Sequence, residues 1–228
     1  MDDFTDLLER FYPPPPPRVP RVQKNRVFTD DQLVSLYTFI RANEHTPAMQ
    51  QQCRLARFAL GNGLREIEIV HQAKGTTIVD RNDQITAHVA AEWSKNHKPR
   101  ETPCTPELAP FLRSWLEEME EGEYLFHKSN GEPYTTRHLQ RWWNELCAAA
   151  GLPNLAGMHG TRHTWATEEL RSKRLDILQV SKFLGHVRIE ITMNYYGHAV
   201  AESAYSTEPP KWWSVALCQD KPALRIAG

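Results

Sequence analysis

Cysteine is scarce and scattered. Cys53, Cys104, Cys147 and Cys218 are the only four in 228 residues. They form neither CxxC pairs nor a secreted-scaffold density, so they read as reduced cytosolic thiols, mostly core filler. Long apolar runs are missing too. None approaches the ~20 residues that cross a bilayer, and the acidic start MDDFTDLLER lacks the make-up of a signal peptide. The expected setting is cytoplasmic, with no membrane partner. The third shortage is of positive charge: Lys+Arg number 27 against 28 Asp+Glu, a formal net charge of −1. Neutralising phosphates asks for a basic surface, so any nucleic-acid contact must use charge gathered locally. What remains, 40% hydrophobic and 24% charged residues, is an ordinary globular composition with length enough for a sizeable core.

The chain opens on a short amphipathic pattern, Phe4, Leu7, Leu8 and Phe11, which is either a docked helix or a frayed tail. Pro13–Pro17 then makes a stiff spacer. It leads into Arg18, Arg21, Lys24 and Arg26, a basic linker that suits a phosphate backbone or plain solvent equally. Globular patterning begins at Phe28. Thr29 with Gln32 is a capping box, and Leu33, Leu36 and Phe39 form the stripe behind it. A second helix runs over Met49–Leu60 to the turn Gly61-Asn62-Gly63.

Thr76–Val79, Ile85–Ala90 and Arg100–Cys104 read as three short strands, with a basic turn holding Lys95 and Lys98 before the last. Helical stripes follow over Glu107–Met119, after Thr135 or Thr136, over Met158–Arg171, after the N-cap Asp176, and over Ile189–Ala201. Trp142 and Trp143 are adjacent, one core, the other a contact surface or second core wall. Beyond Pro209-Pro210, Lys211-Trp212-Trp213 reads as a docking segment or as a stretch packed on the chain's own surface. The predicted fold is mainly α with a small three-stranded antiparallel β-sheet. The predicted organisation is a linker region over 1–27, a domain over 28–201 and a tail over 202–228.

Chemistry concentrates in MHGTRHTWATEELRSKRLDILQVSKFLGHVRIEITMNYYGHAV, residues 158–200. His159 and Arg162 lie three apart and share one helix face. Arg clamps two oxygens, His donates at neutral pH, and a phenol can attack phosphorus. That set suits a phosphate better than a carbonyl. Arg65, just after a glycine turn, is a second phosphate ligand that Glu68 could hold one helical turn on, although the local sequence favours a plain surface pair. A lysine on a hairpin tip, such as Lys95, gains meaning only beside a phosphate.

The order Arg65-x-x-Glu68, Lys95-x-x-Lys98-Pro99-Arg100, His159-x-x-Arg162-His163-Thr164, Leu184-Gly185-His186, Tyr196-x-His198 resembles the catalytic box of the tyrosine recombinases, the phage-integrase family. The resemblance spans Phe28 to Ala201. It implies that family's catalytic-domain fold and a site-specific recombinase for integration, excision or inversion. The two alternatives are a catalytically silent DNA-binding relative and a type IB topoisomerase-like relaxing enzyme.

The implied chemistry is transesterification without metal or nucleotide cofactor, through a 3′-phosphotyrosyl link. Arg65, Lys95, His159, Arg162, His186 and Tyr196 are the implied catalytic residues, with Glu68 and His198 supporting. Family spacing from His186 permits Tyr195 or Tyr196, and the Tyr-x-His ending favours Tyr196. Arg65 and Arg162 would neutralise the phosphate, His186 would bond it, and Lys95 would protonate the leaving oxygen. His159 is the candidate for removing the phenol's proton. Arg18, Arg21, Lys24, Arg26, Lys98 and Arg100 are the expected DNA contacts. The expected partners are double-stranded DNA and a tetramer of like protomers or a partner recombinase, on the nucleoid. Some 28 residues precede the first domain helix, too few for the family's usual DNA-gripping bundle.

Overall fold

A computed structural model of the chain describes residues 27–81, 84–154, 157–203 and 210–217. The basic residues Arg18, Arg21, Lys24 and Arg26 and the first helical pattern lie outside the described residues. So do Cys218 and the side chain of His198.

The helices are α1 (Asp30–Asn43), α2 (Gln50–Leu60), the single turn α3 (Glu66–Ile69), α4 (Ala109–Glu117) and α5 (Thr136–Ala149). After them come α6 (His159–Arg171), α7 (Ile177–Leu184), α8 (Ile189–Ser203) and α9 (Trp212–Leu217). Strands β1 (Ile78–Arg81), β2 (Gln84–Val89) and β3 (Arg100–Pro103) form one antiparallel sheet in that order. Mainly α with a small sheet is thus what folds. Thr29 closes its capping box with Gln32, and Asp176 closes another with Gln179, so both helix starts are written locally.

The main core gathers Phe28, Leu36, Ile40, Phe58, Leu112, Phe126 and both Trp142 and Trp143. Neither tryptophan of that pair is a contact surface. A smaller cluster of Trp165, Leu170, Val180, Leu184, Tyr196 and Ala199 binds α6, α7 and α8 together. Helix α6 runs between the two, and every residue from Gly160 to Leu170 is buried. Cys53 and Cys147 are buried and Cys104 half-buried, all three free. Burial pushes their thiols up to about 12, 11 and 12 respectively, so they are inert filler.

From the C-terminal stretch, Trp212 and Ala216 belong to the main core. The Trp212 indole stacks on Tyr37 at 5.4 Å, and its Nε1–H donates to buried Glu168 on α6 at 3.0 Å. Arg57 reaches across to the carbonyl of Ala216 at 3.2 Å, while Arg174 lies over the Trp213 ring at 4.5 Å. The docking is therefore onto the chain's own body. Trp212→Ala should cost about 3 kcal/mol, read as a lower urea midpoint with an unchanged slope.

Candidate active site

Two loop corners converge because one arginine ties them. Arg162 projects from α6, 2% exposed, and donates from one terminal nitrogen to the Gly63 carbonyl at 2.7 Å. Its other terminal nitrogen donates to the carbonyl of Leu184. The first bond fixes the turn before Arg65, and the second fixes the corner before His186. Both corners need glycine. Gly63 has φ +64°, and a Cβ there would meet the Trp165 ring at 2.3 Å. Gly185 ends α7 at φ +65°, with the Arg100 side chain 3.1 Å from where a Cβ would sit.

Arg65 is the N-cap of α3, and Glu68, fully buried, grips it twice. The Arg65 backbone N–H donates to Glu68 Oε2 at 2.7 Å, and its guanidinium donates to Oε1 at 2.9 Å. The surface pair that local sequence favoured is a buried clamp instead. Arg100 completes it, donating to Glu68 Oε2 at 2.5 Å and to the Phe183 carbonyl at 2.7 Å. Its side chain is only 7% exposed. Arg100, one of the expected DNA contacts, points inward to the pocket, where it braces Glu68 and α7. Lys98 stays exposed.

Electrostatics follow from this packing. Burial opposes charge on Glu68, but the bonds and charge of Arg100, the Arg65 N–H and Arg162 prevail, and its pKa stays below the usual carboxylate value. Burial, then the nearby Arg65 charge, lowers Arg162 to about 9, which still leaves it cationic at neutral pH. Burial and the cations Arg162, Arg65 and Arg100 push His186 down to about 4, so it is neutral. Its Nδ1 lies 2.8 Å from the Thr192 hydroxyl. Accepting that proton leaves Nε2–H as a donor.

Lys95 is exposed on the turn between β2 and β3, which also carries His97 at φ +52°. Asn96 beside it donates to the Gly185 carbonyl at 3.0 Å, so the lysine's turn is moored at the His186 corner. His159 stands exposed at the start of α6. The two tyrosines part company. Tyr195 is 44% exposed, whereas Tyr196 is 2% exposed with its hydroxyl 2.7 Å from His163 Nδ1. Burial raises the Tyr196 phenol to about 12, against the pull of Arg162 and Arg65. Sequence reasoning quoted His163 as part of a motif and gave it no role.

Comparison with known proteins gives one answer throughout. The sequence profile of the phage integrase family matches residues 26–202. A XerC-like tyrosine recombinase of Caldanaerobacter subterraneus subsp. tengcongensis is 26% identical over 152 residues, 60% of this chain and 38% of that protein. The XerC tyrosine recombinase of Chlamydia caviae is 28% identical over 185 residues, 78% of this chain and 56% of its own. The chain thus spans between 38% and 56% of these two relatives.

Among solved structures, the XerH site-specific recombinase on its difH substrate superposes with a TM-score of 0.62 at 22% identity, covering 78% of this chain and 52% of XerH. The Tn1549 transposon integrase bound to a circular-intermediate DNA gives 0.64 at 22% identity, covering 81% and 65%. Fold and sequence profile agree over the same stretch that holds the arginine-tied pocket, and the chain belongs to the phage integrase family of tyrosine recombinases.

Proposed function

We propose that this chain cuts and rejoins double-stranded DNA through a covalent tyrosine link, as the catalytic portion of a site-specific recombinase. The observation that carries the reading is convergence. The Arg65 charge acts on Arg162, both arginines act on His186, and the Tyr196 phenol lies in the field of both arginines. Tyr196 attacks a backbone phosphorus, leaving a 3′-phosphotyrosyl bond and a free 5′-hydroxyl. Arg65 and Arg162 offset the charge that grows on the non-bridging oxygens, a role that Mg²⁺ fills in kinases. His186 donates to one of those oxygens from Nε2, and Lys95 protonates the departing 5′-oxygen.

Because the covalent link keeps the bond energy, another 5′-hydroxyl reverses the step and joins new ends. Exchange between two duplexes then calls for several protomers or a partner recombinase. Lys98 on the turn and Arg137 and Arg141 on α5, all exposed, offer cations for the DNA backbone, and the 18–26 linker offers more.

The experiment is to incubate the chain with genomic DNA fragments in a chelator, denature, and recover protein-linked DNA. Sequencing the attached ends and mass analysis of the linked peptide should give a phosphotyrosine within residues 189–203. Absence of any linked DNA, or linkage through a serine, sinks the reading.

A further inference from the structure

The Tyr196 phenol already has a partner. His163 Nδ1 lies 2.7 Å from its oxygen, and the imidazole is 8% exposed. His159, the candidate base by sequence, packs on His163 with the two rings edge to face at 4.9 Å. We propose that His163 is the catalytic base, taking the Tyr196 proton as the phenol oxygen bonds to phosphorus. This rests on Tyr196 being the nucleophile.

The geometry follows from helix rotation. Successive residues of a helix point about 100° apart. Arg162 therefore turns to the carbonyls of Gly63 and Leu184, while its neighbour His163 turns to α8 and the tyrosine. In the tautomer with its proton on Nε2, Nδ1 accepts from the phenol. The chemistry balances within the chain. The Tyr196 O–H bond breaks and its proton goes to Nδ1, forming imidazolium. The freed electron pair makes the O–P bond, the P–O5′ bond breaks, and the 5′-oxygen takes a proton from Lys95. Rejoining runs the same steps backwards, with His163 returning the proton to the phenol. A phenol that burial carries to about 12 does not ionise unaided near neutral pH, so a base in contact with it has something to do.

A buried His–Tyr hydrogen bond could also merely hold α8 against α6, and the test must separate the two. The substrate is a nicked duplex built from the recovered ends, and the readout is the rate of adduct formation at saturating protein. His163→Ala should slow it at least 100-fold while DNA affinity stays within about threefold. Added imidazole, or a fluorinated tyrosine of lower pKa at position 196, should restore at least tenfold of that loss. His163→Gln keeps a hydrogen-bonding group near the phenol but takes no proton, and it should be as slow as His163→Ala. A His163→Gln protein cleaving at the wild-type rate, or an alanine variant indifferent to both rescues, overturns the proposal alone. Adducts that persist in Tyr196→Phe overturn the nucleophile reading and this proposal together.

Discussion

Tyr196→Phe is expected to leave DNA binding intact and to abolish covalent adducts, while Tyr195→Phe keeps adduct yield within about twofold. The change removes one oxygen and one buried hydrogen bond, the contact with His163. That costs roughly 1–2 kcal/mol, too little to unfold a domain with a core of this extent. Exposure alone favours Tyr195, which is 44% accessible. Field favours Tyr196, because Arg162 and Arg65, the cations that hold the phosphate in the proposed reaction, both act on its phenol. Position relative to charge is the stronger criterion. The arginines themselves are held in place by two carbonyls and a carboxylate. Gel-resolved adducts on a nicked duplex decide it, and the opposite pattern would move the nucleophile to Tyr195.

Glu68→Gln is the second large effect, with an expected cost of about 3–5 kcal/mol. Glu68 is fully buried and takes bonds from the Arg65 backbone, the Arg65 guanidinium and Arg100. Without its charge, Arg65, Arg100 and Arg162 repel one another in a water-poor pocket, and Arg65 loses the grip that aims it. Adduct formation should fall at least 100-fold. The pH dependence has a definite sign. Its folded pKa lies below the unfolded value of 4.5, so the stabilisation is complete above that value and is lost as pH falls through the folded pKa. Melting temperature of the wild type should therefore drop steeply below about pH 4.5, and Glu68→Gln should start lower and lose that acid limb. A variant with the wild-type acid slope would contradict the clamp.

Much of the site was legible because its signals are local. The capping box at Thr29, the N-cap Asp176, the glycine before Arg65 and the His159-x-x-Arg162 spacing each need only neighbouring residues to be read. What escaped depends on distant partners. Arg100 follows a basic exposed turn, and no local rule tells which strand face meets Glu68, 32 residues earlier. Trp212 finds Glu168 across 44 residues. Helix α6 shows almost no amphipathic stripe, because its buried polar residues serve ion pairs and the pocket on all sides. His163 was hidden by adjacency: a sequence shows that it follows Arg162, and only the helix shows that the two point to different walls.

The bond from Arg162 to Gly63 joins positions 99 residues apart, and α8 lies later still. A chain emerging from the ribosome therefore carries no assembled arginine pocket until nearly the whole domain has been released. Truncated translation products and proteolytic halves lack the tie between the two arginine corners, so they hold the separate pieces of the pocket unassembled.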